Sequence, residues 1–238
     1  MVDLIKNEKG GTEKVNKQII KNKTKSGQKS EDDFARFCYE KGISFISLDE
    51  NSVEREKFLK NPKGKCPDFF CTKNNLSMFV EVKTHTLLTN MAREKSMRDK
   101  YSASKSGSSS ITMLSGPFNP VPELKVPFKE YLRDSSDKFK NIKSEHGFPR
   151  VLLLSGFHIE RFDVHAVFSG KYEGYKKVDD KLVYIGMVKE HNGLFDSTGS
   201  NVSAVVYWNA HSKRYEGIEN HNSLIKLSSE DFQVFFAG

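Results

Sequence analysis

The chain has 238 residues, and 38 lysines and arginines against 31 acids leave a net charge of +7; that length supports one large domain with a real core, and that excess favours a polyanionic partner. No apolar run reaches the length of a membrane span, and the charged N-terminus lacks the apolar stretch of a secretory signal. Three cysteines, Cys38, Cys66 and Cys71, cannot all pair, and no second Cys or His pair completes a zinc site. Reduced thiols that fill a core are therefore expected, in a cytoplasmic protein with no membrane partner.

Residues 1–29 carry eight lysines and three acids, most of the positive excess, with few apolar positions. They read as a basic N-terminal arm, either a phosphate-binding one or a solvated tail. A single domain is expected over 30–238. Its first helix is expected from Ser30 as N-cap, with Glu31, Asp32 and Asp33 in the first turn where the helix dipole favours acids, and Gly42 closing it. A short strand "ISFISL" and a helical "SVEREKFLK" follow.

The stretch "CPDFFCTKNNLSMFVEVKT", Cys66–Thr84, predicts a hairpin. Asn tolerates positive φ, so Asn74-Asn75 can form a two-residue turn. Lys73 then opposes Leu76, and continuing the register puts Asp68 directly across from Glu81, with Cβ atoms about 5 Å apart. Lys83, two residues beyond Glu81, shares that face. The other face, with Phe69, Cys71, Met78, Val80 and Val82, is wholly apolar.

Two carboxylates held that close repel one another unless a cation intervenes. Hard oxygen ligands at this spacing suit Mg²⁺, which takes one or two carboxylates plus substrate phosphate. With a lysine beside them, these are the parts of metal-assisted phosphodiester hydrolysis. The plainer alternative is a hairpin end at the solvent rim, where Lys83 simply bridges two acids.

Downstream, "LLTNMAREKSMRDKY" predicts a basic helix, "SASKSGSSS" a flexible loop and "GPFNPVPELKVP" a Pro-rich connection. "FKEYLRDSSDKFKNIK" is an amphipathic helix marked by Phe128, Leu132, Phe139 and Ile142. "RVLLLSGF" is a strand of the kind buried on both faces, "RFDVHAVF" a helix or strand, and "NVSAVVYWNAHSKRYEGIEN" two strands around a turn at 209–213. The mixture predicts an α/β or α+β fold.

Pro67-Asp68, twelve residues, then Glu81-Val82-Lys83 resembles the signature of the PD-(D/E)XK nuclease superfamily, which includes restriction endonucleases and Holliday-junction resolvases. The resemblance covers about residues 30–156. It implies an α/β, restriction-endonuclease-like core: a central mixed β-sheet flanked by helices, in the order helix, three strands, helix, strand, here with additional C-terminal strands. It also implies roles. Asp68 and Glu81 would hold Mg²⁺, with Mn²⁺ as a substitute and the Val82 carbonyl as main-chain ligand. Lys83 would act on the attacking water, and Glu31 would be the acid that many members carry on the first helix, though a helix-dipole acid is an equal reading of it.

The function expected is a Mg²⁺-dependent endodeoxyribonuclease of a restriction or defence system, with a repair or recombination nuclease second. Phosphate contacts would come from Arg93, Lys95, Arg98 and Lys100 on the basic helix, from Lys105 in the loop and from the arm. Cutting both strands favours a homodimer. A non-catalytic nucleic-acid-binding module of the same fold is the rival, and RNA as substrate stays open. His85 shares the face of Lys83 by parity and is expected in solvent at the strand end. His191-Asn192 and His221-Asn222 are similar to fragments of a histidine nuclease motif that lacks its other parts. Tyr207 and Trp208 read as core or edge aromatics, and no P-loop is present.

Overall fold

The structure, a computed structural model, describes residues 27–85, 121–156, 164–178, 181–189, 192–209 and 212–237. Most of the N-terminal arm and all of Arg93, Lys95, Arg98, Lys100 and Lys105 lie outside the described residues.

The first helix, α1 (Gly27–Glu40), buries Ser30, Phe34, Ala35 and Cys38, one face at helical spacing. It starts three residues before the expected cap. Ser30 is therefore inside the helix, and its hydroxyl accepts a 2.8 Å hydrogen bond from Thr84 instead of capping α1. The C-terminal end closes as expected. Gly42 takes φ +65°, its N–H bonds the Tyr39 carbonyl, and the Ile43 N–H bonds that of Cys38. This is the paired closure that needs a left-handed residue just past the helix.

A six-stranded mixed sheet follows, in spatial order β1 (Ser44–Ser47), β2 (Phe69–Lys73), β3 (Leu76–His85), β4 (Arg150–Gly156), β7 (Ala204–Asn209) and β8 (Arg214–Glu219). β3, β4 and β7 run parallel; β1–β2, β2–β3 and β7–β8 are antiparallel pairs. The β2–β3 register is the expected one, Lys73 opposite Leu76 through Phe69 opposite Val80. Asn74 and Asn75 supply the two positive φ values, 50° and 65°, that a tight hairpin turn matched to strand twist requires.

Both faces of the sheet are covered. On one, Phe79, Leu152, Leu154 and Tyr207 pack beneath α2 (Ser52–Phe58) and α3 (Val121–Lys140). On the other, Phe69, Met78, Val80, Val82, Leu153 and Val206 pack against α1 and α4 (Ser229–Phe236). β4 meets both layers, so its run Val151–Leu154 is fully buried without alternation.

The helix α3 begins at Val121 and contains Pro127, where a Pro-rich connection was expected to reach Pro127. The anchors Phe128, Leu132 and Phe139, all but inaccessible, outweigh that one missing backbone donor. "HAVFS", His165–Ser169, forms a single π-helical turn. A separate two-stranded ribbon, β5 (Lys171–Val178) with β6 (Lys181–Lys189), and the helix α4 have no counterpart among the expected elements. Among the described residues, no helix is long and apolar enough to cross a membrane.

Candidate active site

Alternation along β3 sends Phe79, Glu81, Lys83 and His85 to the α3 side, and Val80, Val82 and Thr84 to the α1 side. The helix α3 runs beside this strand in the opposite sense. One helical turn rises about 5.4 Å and two strand residues about 6.6 Å, so successive turns meet successive outward positions. Phe128 and Tyr131 flank the His85 ring, at 5.3 and 6.5 Å between centroids. Asp134 meets Lys83, and Lys138 meets Glu81.

The result is a chain of alternating charge. Lys65 Nζ donates to Asp134 Oδ1 at 2.8 Å, and Lys83 Nζ to Asp134 Oδ2 at 2.6 Å. Lys83 Nζ also lies 2.8 Å from Glu81 Oε1. Lys138 Nζ reaches the same oxygen at 2.5 Å and Asp68 Oδ1 at 3.4 Å. Asp68 is fixed from its other side, because Oδ2 accepts the Val82 N–H at 2.8 Å. Val82 thus enters the site by its amide, with its carbonyl role still an expectation.

Asp68 and Glu81 are side by side as the register requires, but buried and not at the solvent rim, Asp68 5% exposed and Glu81 0%, and the lysine that bridges these two acids is Lys138. Burial raises the Asp68 carboxyl above its ordinary value in spite of Lys138 and the Val82 N–H. Burial and then the Asp68 charge push Glu81 up to about 7, in spite of both lysines. For Lys83, burial opposes the charge, but Glu81 and Asp134 outweigh it and hold the ammonium above the usual lysine range. Lys138 is raised likewise by Asp68 and Glu81 against the same burial. Asp134 has burial against its charge too, yet its hydrogen bonds from Lys65 and Lys83 bring it down to about 2.

The remaining assignments divide. Glu31 is half-buried at the start of α1, the helix on the opposite face of the sheet from Glu81 and Lys83. His85 is 2% exposed, not in solvent, because α3 covers it with Phe128. All three cysteines are free and buried. Cys66 donates to Asp49 Oδ1 at 2.9 Å, and burial followed by that carboxylate pushes its thiol up to about 12, which makes it unreactive. Tyr207 is core, and Trp208 an edge aromatic, 38% exposed.

The donor set fits a divalent ion of the Mg²⁺ type. Glu81 Oε2 is buried without a hydrogen-bond partner among the described residues, a costly state that a cation would relieve. Among the described residues, no three His, Cys, Asp or Glu side chains gather into one metal-holding group. The described residues therefore offer two carboxylates, Asp68 and Glu81, and Mg²⁺ accepts that few when water and phosphate complete its shell.

Asp134 and Lys138 were absent from the sequence assignment. Their signal was a spacing of four on an amphipathic helix, which places them on one face but not against β3. Compared with models of known families, with curated proteins and with solved structures, the chain finds no match.

Proposed function

We propose that the chain is a Mg²⁺-dependent endonuclease of restriction-endonuclease-like type, hydrolysing DNA phosphodiester bonds within a restriction or defence system. The observation that carries this reading is the buried pairing of Asp68 and Glu81 beside Lys83 on one face of the hairpin. Its support includes the order of elements, α2 between the first two strands aside: α1, three antiparallel strands, then α3 and a fourth strand parallel to the third. That is the order the resemblance implies.

Asp68, pinned by the Val82 amide, and Glu81, with its unpartnered Oε2, would hold the ion. The ion, once held, would supply Lewis-acid stabilisation of charge developing on the phosphate. Lys83 is tethered by Asp134 and Glu81, which hold its ammonium above the usual lysine range and favour a donor role over that of a base. It acts as a donor, orienting the attacking water and offsetting charge in the transition state. The basic segments around Arg93–Lys105 and the N-terminal arm would grip the backbone, and a symmetric dimer would place one such site on each strand.

A second reading, a nucleic-acid-binding module without catalysis, is favoured by one observation: the Lys138 ammonium already bridges the two acids. The two readings separate when the purified chain is incubated with supercoiled plasmid, linear duplex, branched DNA and RNA, with Mg²⁺ or with chelator. Chelator-sensitive cutting of DNA that Asp68→Asn abolishes is the result expected. Tight binding without cutting selects the module, cutting of RNA alone changes the substrate, and neither binding nor cutting overturns both readings.

A further inference from the structure

We propose that Lys138 competes with the divalent ion for one place between Asp68 and Glu81, so that metal enters only as the Lys138 ammonium leaves; this rests on the nuclease reading of the site. Three observations lead there. Lys138 Nζ bridges the two carboxylates, 2.5 Å from Glu81 Oε1 and 3.4 Å from Asp68 Oδ1. An ammonium on one oxygen of each carboxylate and a dication held by the same two carboxylates, Glu81 through its Oε2, would repel one another at close range. And three lysines already alternate with three acids from Lys65 to Asp68, so a dication added beside Lys138 would leave the cluster with excess positive charge unless that ammonium moved out.

Of the two cations that touch Glu81, Lys138 is the better placed to move. Lys83 is held by two short contacts to two acids, Asp134 at 2.6 Å and Glu81 at 2.8 Å. Lys138 has one short contact and one long one. It stands in the last turn of α3 with its side chain 17% exposed, on a flexible four-carbon stem that can swing outward. Once outside, the ammonium would be free to take a phosphate as its partner. Metal and nucleic acid would then strengthen each other's binding through this one side chain, since such coupling is reciprocal. Lys138 is on this view a positioning residue, a built-in guard against metal binding in the absence of substrate.

The test is calorimetric Mg²⁺ titration of the full chain, without nucleic acid, for wild type, Lys138→Met, Lys138→Arg and the double variant Lys138→Met/Asp68→Asn. Lys138→Met is expected to bind Mg²⁺ at least about tenfold more tightly than wild type, a factor equivalent to about 1.4 kcal/mol. Lys138→Arg, which keeps a cation, should stay at wild-type affinity, and the double variant should lose binding. If Lys138→Met is no tighter while binding still depends on Asp68, the competition is wrong and the metal site stands. If Lys138→Arg tightens as much as Lys138→Met, charge is not the cause and the competition is wrong again. If no form binds Mg²⁺ through Asp68, the site reading falls as well. Should Lys138→Met not fold, Lys138→Gln takes its place. Failure of both to fold overturns the proposal, because the ammonium would then be a fixed structural part.

Discussion

Two carboxylates in this molecule sit on hairpins that flank the same sheet, and they are treated in opposite ways. Glu216 on β8 is surrounded by donors: the Tyr207 hydroxyl at 2.9 Å, the Asn209 amide at 3.0 Å, the Ser212 hydroxyl at 2.9 Å and Arg214 Nε at 3.4 Å. Burial works against its charge, but those four bonds hold it below the usual carboxylate range. Glu81 on β3 is fully buried, shares one oxygen between two lysines, leaves the other without a partner and is pushed up to about 7. A carboxylate saturated with hydrogen bonds is finished as structure. One buried beside a second acid and short of donors is held at a cost, and such groups concentrate where ligands bind.

The sharpest way to break the comparison is through catalysis. Lys83→Ala should lower cleavage by about 10²–10⁴-fold and leave nucleic-acid binding nearly intact, since the loss is of transition-state stabilisation. The neighbours keep partners without Lys83, because Asp134 retains Lys65 and Glu81 retains Lys138. Glu216→Gln should leave the rate within about threefold, as a substitution with no contact to the reacting groups. Single-turnover cleavage of a verified substrate, paired with binding in chelator, measures both. Equal rates for wild type and Lys83→Ala would remove the catalytic meaning of the Glu81 cluster.

The strand side of that cluster was legible in the sequence and the helix side was not. Asn74-Asn75 fixes the hairpin register, and parity alone then puts Asp68, Glu81 and Lys83 on one face. These are local relations within Cys66–Thr84. Asp134 and Lys138 are separated from Lys83 and Asp68 by 51 and 70 residues. Helical spacing groups them with each other, but only the packing of Phe128, Leu132 and Phe139 decides that α3 lies along β3. Charged positions beside an apolar stripe are ordinarily solvated, which is also why His85 was expected outside. Glu31 enters the assignment through the resemblance alone, and its helix starts at Gly27, on the face of the sheet opposite Glu81, where Ser30 is bound to Thr84.

The second test uses pH, where Glu81 should act in the direction opposite to Glu216. The folded chain holds a proton on Glu81 up to about 7, against an ordinary value of 4.5. Between those values the folded state binds more protons than the unfolded one, so this group lowers stability as pH rises through the window. Wild type in chelator should therefore melt lower at about pH 8 than at about pH 5, and Glu81→Gln, which cannot ionise, should show less of that fall. The difference is bounded by about 3 kcal/mol, or several degrees in Tm for a chain of this size. Parallel melting curves for wild type and Glu81→Gln would mean that the two lysines fully compensate the buried charge.

The smallest effect belongs to Glu216→Gln, and it completes the contrast. Glutamine keeps a carbonyl acceptor but presents an amide where the second carboxylate oxygen accepted, so it cannot receive all four donors at once. Charge-assisted bonds become neutral ones, and a loss of about 1 kcal/mol is expected at neutral pH. Because the folded-state value lies below the unfolded one, the stabilisation is present above the ordinary carboxylate range and fades as pH falls through it. The gap between wild type and Glu216→Gln should therefore hold from about pH 5 to about pH 8 and close below about pH 4. Urea unfolding at a series of pH values measures that gap directly. A gap that widened toward acid would mean that the Tyr207 and Asn209 side chains, both on β7, are held by something other than the charge on Glu216.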